Sequence, residues 1–383
     1  MQELALELVS RGWRVGIATT STTHSPADDP PGMEVRRVQT WLAFTRASLP
    51  RRTLSYLSIF PALLRAASAL PGKWDYVVTT SDPPLQVLLG SMLQRSAKCR
   101  LVQWSQDLYP ELAEELGVLR RRGIAATALR AMSNLGLRRS SCVIVPGRCM
   151  ADRMRERGVS SASIHVVPNW SPARTAAPAD TTAFRKKHGI RESHFVVMYS
   201  GNFGLAHSFD SVLHAADYFR SSRPEIRFLL IGGGPRLAEV HADVERLALT
   251  NVQFLPLQPR EDLSVSLAAA DVHLITMRES VAGLVVPSKF YGVVAAGRPC
   301  IFVGPRNSEV AQVITESGCG AVVGEFEMDA LVTAIASFAD DSEKRSQAAA
   351  HALAIAGEYT VSASTDKLLS AMRSAETNGG ERV

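Results

Sequence analysis

Short apolar runs alternate with amphipathic helical stretches along most of this chain. In the second half, apolar runs begin at Phe195, Ile226, Val252 and Val272, and each is followed by a turn and a helical pattern. Continuous apolar runs of this length are typical of parallel strands that are covered on both faces. Regular alternation of such strands with helices predicts an α/β fold with doubly wound sheets.

The first half shows the same alternation, but it opens on a helix at residues 2–12. A doubly wound domain normally begins with a strand and a glycine-rich turn before that helix. We therefore hypothesise that the first strand is missing because the sequence starts too late. Residues 20–50 contain several prolines and are expected to be irregular. The apolar face of a helix at 52–69 suits either the core or a membrane surface.

A segment rich in proline, alanine and threonine separates the two halves and predicts a linker at residues 171–182. The predicted organisation is an N-terminal domain at 1–170 and a C-terminal domain at 183–356. Residues 357–383 are expected to form a C-terminal helix and a loose tail. The chain thus predicts two Rossmann-like domains that face a cleft.

Composition agrees with a large folded protein and indicates the kind of cellular compartment that it occupies. The chain is 46% hydrophobic and 21% charged, and it contains no apolar run long enough to span a bilayer. No secretory signal is visible at the N-terminus. The five cysteines are scattered, without a Cys-x-x-Cys pair, which favours a reducing cytosol over a disulfide framework or zinc site.

Charge is distributed unevenly between the halves. Residues 1–170 carry 22 basic and 13 acidic side chains, whereas residues 171–383 carry 20 and 24. A basic first half suits an anionic membrane surface or an anionic substrate such as a lipid diphosphate. Excess arginine of genomic origin is the alternative explanation. No recognised nucleic-acid-binding motif is present, so a nucleic acid partner is not expected.

Two glycine-rich turns follow predicted strands of the second half, at Gly201–Gly204 and Gly232–Gly234. Glycine allows the backbone to approach a diphosphate and exposes its N–H groups. Neither turn matches the dinucleotide fingerprint or the Walker loop. Ligands of α/β sheets gather at the carboxyl ends of strands, where both turns fall. His207, after the first turn, is interpreted as a helix cap rather than a catalyst.

The stretch from Gly283 to Gly304 predicts a loop, a helix, a tight turn and a buried strand. Pro287 suits the first helical turn, Ser288 suits a cap, and Lys289 falls in the first turn. A lysine there is favourable if an anion binds, so a phosphate-bearing ligand is one interpretation. An ordinary capped helix before a core strand is the other.

Two carboxylates are further candidates. Asp107 follows the strand at 100–104 and could act as a base or position a sugar hydroxyl, although aspartate also caps helices well. Glu279 could bind ribose or sugar hydroxyls, or could simply be a solvated loop residue. The nine histidines are scattered and no Asp-x-Asp motif occurs, so neither a metal nor another cofactor is predicted.

Several motifs resemble a known enzyme family when they are taken together and in order. They are VMYSGNFGLAHSFDSVL, FLLIGGGP, VQFLPLQPREDLSVSLAAADVHLI and GLVVPSKFYGVVAAGRP in the second half, and TTSDPPL, QDLYPELAEELGV and IHVVPNW in the first. They resemble the retaining family 4 glycosyltransferases of the GT-B fold. The greatest likeness is to bacterial surface-polysaccharide transferases of the N-acetyl-L-fucosaminyl and colanic-acid type.

The resemblance implies a UDP-sugar donor bound by the C-terminal domain and a saccharide acceptor, often lipid-linked, on the N-terminal domain. It implies metal-independent transfer with retention of configuration by a protein peripheral to the cytoplasmic face of the membrane, in O-antigen or capsule synthesis. The residues that would contact the donor are Gly201, Asn202, Phe203, Gly204, Gly233, Gly234, Leu257, Gln258, Glu279, Pro287, Ser288 and Lys289. Among them Lys289 would stabilise the diphosphate, and Asp107 would lie on the acceptor side.

The chain also departs from the family pattern. Many members carry two glutamates eight positions apart, but here Pro287 lies eight positions after Glu279, and Gly292 replaces a glutamate found in related chains. A basic pair common after the first C-terminal strand is missing, which leaves more of the phosphate charge to Lys289. Two alternatives therefore stay open: a sugar-nucleotide epimerase of GT-B fold, and an inactive nucleotide-sugar-binding subunit.

Overall fold

The predicted alternation of strands and helices is present in both parts of the chain. The computed structural model describes residues 1–20, 32–38, 49–171 and 180–378. The chain divides into two units. Unit 1 comprises Met1–Pro146, Ala151–Val167 and Thr365–Val383, and unit 2 comprises Gly147–Met150 and Pro168–Ser364.

The strands and helices are numbered in chain order. The strands are β1 (Val15–Thr20), β2 (Met33–Val38), β3 (Tyr76–Thr80), β4 (Arg100–Trp104), β5 (Cys142–Val145), β6 (Ile164–Val166), β7 (Phe195–Asn202), β8 (Ile226–Gly233), β9 (Val252–Leu255), β10 (Val272–Thr276), β11 (Cys300–Val303) and β12 (Gly320–Val323). The helices are α1 (Gln2–Ser10), α2 (Leu49–Ser68), α3 (Gln86–Ala97), α4 (Glu111–Glu115), α5 (Ile124–Arg139), α6 (Arg148–Glu156), α7 (Thr182–Lys187), α8 (Asp210–Ser222), α9 (Leu237–Arg246), α10 (Leu263–Ala268), α11 (Lys289–Ala295), α12 (Glu309–Ser317), α13 (Met328–Asp340), α14 (Ser342–Ala356) and α15 (Val361–Asn378).

Unit 1 contains two parallel sheets among the described residues, β1–β2 and β3–β4–β5–β6. Strand β2 corrects the expectation that residues 20–50 are irregular; residues 21–31 and 39–48 lie outside the described residues. Its six residues pair with β1 along their full length, from Val15 opposite Met33 to Thr20 opposite Val38. Pairing with β1 therefore makes residues 33–38 a strand, although the prolines nearby predicted an irregular segment.

Helix α2 faces the core rather than solvent over its described side chains. Ile59 and Leu63 are buried and pack with Leu89 and Leu93 of α3. The core-facing interpretation of this helix is therefore correct for residues 58–68. No helix in the described part of the chain is long and apolar enough to cross a bilayer.

The described residues of unit 2 form one parallel sheet with the strand order β12–β11–β10–β7–β8–β9. The chain runs outward from β7 to β9 on one side, and then returns to start β10 on the other side of β7. The order reverses between β7 and β10, so this is the topological switch point of the sheet. The carboxyl ends of strands at such a point form a crevice that commonly binds ligands.

Four elements of unit 2 were not predicted from the sequence: α7, α12, β12 and α13. The short run GAVV of β12 pairs residue by residue with β11, from Cys300 opposite Gly320 to Val303 opposite Val323. Four apolar residues carry too weak a periodic signal to be recognised without that partner strand. In the predicted linker, residues 172–179 lie outside the described residues, as do residues 379–383 of the predicted loose tail.

Candidate functional site

The carboxyl edge of the unit 2 sheet brings together most of the predicted donor-site residues. The ends of β7 and β10 meet the start of α11 at the switch point, through Tyr199 and through His207, which bonds to Thr276. Gly201 at the end of β7 lies beside Lys289, since a methyl group added at Gly201 would come 3.0 Å from Lys289 Cε, and Gly232 of β8 packs in turn against Gly201. Residues from separate predicted motifs therefore converge on one place.

Three glycines at this edge have backbone conformations that other residues rarely adopt. Their φ angles are +146° at Gly201, +139° at Gly232 and +144° at Gly234. Space is also limited, because a Cβ at Gly232 would lie 1.9 Å from the carbonyl oxygen of Gly201. Gly233 has neither restriction, and a methyl group added there would have no atom within 4 Å. The turns thus use glycine for geometric reasons at alternate positions.

Lys289 is the first residue of α11, and its ammonium group is anchored by two polar partners. Nζ donates to the hydroxyl of Tyr199 at 3.0 Å and to Nε2 of His207 at 3.1 Å. It also lies 4.6 Å from the centroid of the Tyr199 ring, whose electrons favour a cation. Burial lowers the pKa of Lys289 to about 7, because no carboxylate among the described residues compensates for the lost hydration.

His207 orients the lysine and is held by the neighbouring strand. Its Nδ1 lies 2.6 Å from the carbonyl oxygen of Thr276, which assigns the proton to Nδ1 and leaves Nε2 to accept from Lys289. Burial, with the charge of Lys289, lowers the pKa of His207 to about 3. The interpretation of His207 as a helix cap is therefore wrong: it lies before α8, which begins at Asp210, and bonds across the sheet.

Two further expectations about the opening of α11 are also corrected. Pro287 precedes the first helical residue by two positions instead of occupying the first turn. Ser288 occupies the N-cap position, but its side chain makes no capping hydrogen bond. Its backbone is already helical, with φ −63° and ψ −18°, whereas a capping side chain normally needs an extended backbone to reach the free N–H groups.

Asn202 and Phe203 support the turn in different ways. Asn202 accepts a hydrogen bond from Tyr199 Oη at its carbonyl oxygen, at 2.7 Å. The ring of Phe203 is fully buried and stacks on Phe209. Its N–H donates to the carbonyl of Gly233 at 2.8 Å. Both the ring and the N–H of Phe203 are therefore engaged by the fold.

Leu257, Gln258 and Glu279 lie further along the same edge. The first two follow β9, which is separated from β7 by β8, a distance of about 10 Å at two strand spacings. Leu257 is 71% exposed, and the Gln258 amide donates to the carbonyl of Pro256 at 2.7 Å. Glu279 has an exposed side chain, while its backbone N–H donates to the Glu325 carboxylate at 2.7 Å.

Glu325 and Arg236 belong to this edge but were missed as site residues. Both are buried. The Arg236 guanidinium donates to the His207 carbonyl at 2.6 Å and also pairs with Glu239. An arginine directly after a glycine-rich turn opposes the helix dipole, and that local conflict was the signal available in the sequence. Glu325 follows the unpredicted strand β12, so no signal placed it near Glu279.

Asp107 belongs to unit 1 and follows β4. The N–H groups of Gln106 and Asp107 donate to Ser81 Oγ at 3.0 and 3.1 Å, which fixes the loop against the end of β3. Burial, together with the charge of Asp82, raises the pKa of Asp107 to about 6. Asp107 does not cap α4, whose N-cap residue is Pro110.

The surroundings of Lys289 in unit 2 differ from those of Asp107 in unit 1. Lys289 and His207 share a site in unit 2 without a carboxylate bonded to the ammonium, while Asp107 lies in a small pocket of unit 1 lined by both polar and apolar side chains. Within the described residues, no three His, Cys, Asp or Glu side chains are placed to hold a metal ion.

Two family models match the chain in tandem. The Glycosyl transferase 4-like domain matches residues 1–170, and the Glycosyl transferases group 1 model matches residues 180–353. The chain belongs to the family 4 type of glycosyltransferase. The boundary between the two matches falls in the segment that was predicted to be a linker.

Similar proteins agree with the family assignment. The chain is 28% identical over 250 residues to the Escherichia coli protein named colanic acid biosynthesis glycosyl transferase WcaI, and 26% identical over 251 residues to glycosyltransferase WbjE of Pseudomonas aeruginosa. Each alignment covers 64% of this chain and 61% of the relative. The chain therefore matches less than two thirds of the length of these relatives.

Solved structures confirm the fold of this family 4 chain. The structure of HepE from Anabaena, in complex with UDP and glucose, superposes with a TM-score of 0.72 at 17% identity. The match covers 97% of this chain and 95% of HepE. The fold is therefore GT-B, built from α/β units with parallel sheets.

Proposed function

We propose that this protein transfers a sugar from a UDP-sugar to a saccharide acceptor, with retention of configuration and without a metal. The observation that supports the donor site most strongly is the ammonium group of Lys289. It lies at the switch point, beside Gly201 of the first glycine turn, and bonds only neutral partners among the described side chains, Tyr199 and His207. A diphosphate would supply the missing negative charge.

Transfer places growing negative charge on the departing UDP diphosphate. A preorganised cation and exposed backbone N–H groups stabilise that charge more in the transition state than in the ground state. Lys289 would supply the cation, with Ser288 and the turns at Gly201–Gly204 and Gly233–Gly234 close to the phosphates. Leu257, Gln258 and Glu279 would face the base, ribose or sugar. No cofactor other than the donor is required.

We further propose that the acceptor is lipid-linked and that the protein acts in synthesis of a bacterial surface polysaccharide such as O-antigen or capsule. The excess of basic residues in 1–170 suits an anionic lipid diphosphate and peripheral contact with the cytoplasmic face of an anionic membrane. The name of WcaI, a colanic acid biosynthesis protein, supports the same kind of pathway. Asp107 would lie on the acceptor side.

The epimerase alternative requires free acid and base groups beside the diphosphate. His207 is the histidine bonded to Lys289, and both of its ring nitrogens already have partners. Its pKa of about 3 also makes it a poor acid or base at neutral pH. The geometry therefore favours transfer.

The decisive experiment measures UDP release from a panel of UDP-sugars, with and without polyprenyl-diphosphate saccharides. Acceptor-dependent UDP release, with the sugar found on the lipid, supports the proposal. Epimerised donor without acceptor would instead identify an epimerase. Tight UDP binding with no turnover for any pair would identify an inactive subunit.

UDP affinity is expected to fall as the pH rises above about 7. In the free protein Lys289 loses its proton near this pH, whereas bound diphosphate favours the charged form, so binding takes up a proton. When binding takes up one proton, the affinity for UDP falls by about tenfold for each unit of pH above this pKa. Isothermal titration with UDP from pH 6 to 9 measures both affinity and proton uptake. An affinity that is constant across this range would contradict the role of Lys289.

Replacement Asp107→Asn is expected to lower kcat by roughly 10²-fold, the usual contribution of one acid–base or positioning group. Because Asp107 belongs to unit 1 and the donor residues belong to unit 2, UDP affinity should not change. Steady-state transfer and UDP titration on the same preparation separate the two effects. An equal loss of UDP affinity would place Asp107 at the donor instead.

A further inference from the structure

We propose that helix α5 and the arginines at its two ends form a docking surface for an anionic lipid bilayer. This inference deepens the membrane contact proposed above and rests on it. It assigns that contact to one helix of unit 1, and its occupant is the bilayer itself rather than the lipid-linked substrate.

One face of α5 is used by the fold. Ala126, Ser133 and Leu137 recur at helical spacing and are buried. Gly136 lies on this side against α3, where an added methyl group would come 2.6 Å from Val87 Cγ1. Helix α5 is therefore fixed on unit 1 by one face, and its opposite face has a defined orientation.

The opposite face is apolar and lies in water. Ile124, Ala128, Ala131 and Leu135 recur at helical spacing, four, three and four residues apart, and all are exposed. Ile124 is 92% exposed and Leu135 is 48% exposed, with Met132 beside them at 45%. Nothing in the described part of the chain covers this stripe. Large aliphatic side chains aligned on an open helix face usually mark an interaction surface.

The charges around the stripe have one sign. Residues 116–146 contain six arginines and no aspartate or glutamate. Five of the six are exposed at the ends of α5: Arg120, Arg121, Arg122, Arg138 and Arg139. The sixth, Arg130, points inward and pairs with Glu111 and Glu114. Arg121 reaches back to Glu115, in a surface pair worth little.

This combination fits a bilayer better than a second copy of the chain. Both ends of α5 are basic, so two copies packed face to face would oppose arginine clusters in either orientation. An anionic membrane accommodates both the apolar stripe and the basic ends of α5, because the stripe enters the acyl boundary while the arginines reach lipid phosphates. The helix has 16 residues, or about 24 Å, and would lie in the interface plane.

The test is flotation of the full chain with phosphatidylcholine vesicles, with and without phosphatidylglycerol. Ile124→Glu/Leu135→Glu is expected to weaken binding to the anionic vesicles by about tenfold or more. Arg120→Gln/Arg122→Gln is expected to weaken it by about fivefold per arginine, and less at high salt. The control is Tyr218→Glu on α8, which is 55% exposed in unit 2 and should bind like the unchanged protein.

Three results would overturn the proposal. The unchanged protein could fail to bind anionic vesicles, the α5 variants could bind as well as it does, or they could convert a dimer to a monomer. Circular dichroism and UDP titration establish that each variant is folded. Flotation is measured without donor or acceptor, and UDP release is measured separately with the lipid-linked acceptor in detergent, so a failure of the proposed transfer and a failure of membrane docking are distinguishable.

Discussion

Replacement Lys289→Ala is expected to lower the transfer rate by at least about 10²-fold, a typical loss when one preorganised charge at the transition state is removed. The ammonium is fixed between Tyr199 Oη and His207 Nε2, at 3.0 and 3.1 Å, before any ligand binds. A water molecule that replaced it could not carry the same charge in the same position. UDP affinity should fall as well, because the free protein offers the diphosphate this cation at the switch point.

The same replacement is expected to leave the fold intact or to stabilise it. Burial lowers the pKa of Lys289 from its usual 10.5 to about 7. Between these values the unfolded chain binds the proton more tightly, so this residue opposes folding at neutral pH and less so as the pH rises. Activity and stability should therefore move in opposite directions, as in sites that trade stability for function.

Lys289→Met serves as the second variant, because it retains the length of the side chain without its charge. Lys186→Ala, at an exposed position on α7, is the matched control. The measurements are kcat/KM for transfer, UDP affinity and the midpoint of thermal unfolding. Near-normal transfer by Lys289→Met, with an unchanged unfolding midpoint, would show that the lysine does not act on the diphosphate.

Replacement Gly232→Ala is expected to destabilise unit 2 by about 3 kcal/mol or more, the scale of combined backbone strain and overpacking. The φ angle of +139° is one that alanine rarely adopts. The added Cβ would also lie 1.9 Å from the carbonyl oxygen of Gly201, on the neighbouring strand. Because that contact is with backbone, β7 and β8 must separate at the edge that carries the proposed donor site.

Gly233→Ala is the matched control, since the next position has an ordinary φ angle and open space. Urea unfolding of the two variants, followed by far-ultraviolet circular dichroism, measures the difference. UDP binding of Gly232→Ala should be lost along with its stability. Equal unfolding midpoints for the two variants would mean that the strand end accommodates a side chain.

Much of the fold was predictable, because apolar runs and helical spacing are local properties. The strands at Arg100–Trp104, Cys142–Val145 and Val252–Leu255 have the predicted bounds, since each combines a short apolar run with clear turns. Strands β2 and β12 escaped prediction because their identity depends on partners distant in the chain. Family membership was also recognisable, because several motifs occur in a fixed order.

In the candidate site, too, local features were predictable and long-range contacts were not. Sequence pattern indicated glycine turns at strand ends and a lysine at a helix start, and the structure brings these together at one edge of a sheet. The sequence pattern did not indicate that His207 bonds across the sheet to Thr276, or that Arg236 donates to the His207 carbonyl. The first contact depends on β10 returning beside β7, and the second on β7 and β8 ending side by side.

By itself, the sequence determined the class of fold, the two α/β parts, and Lys289 as a candidate for the diphosphate. Tertiary structure alone decided that Lys289 is anchored by Tyr199 and a neutral His207, that Gly232 and not Gly233 must be glycine, and that the apolar stripe of α5 faces water. The physical reason is the range of the interactions. Propensity and periodicity act between near neighbours in the chain, whereas burial, pKa and steric clearance depend on atoms that only the folded sheet brings into contact.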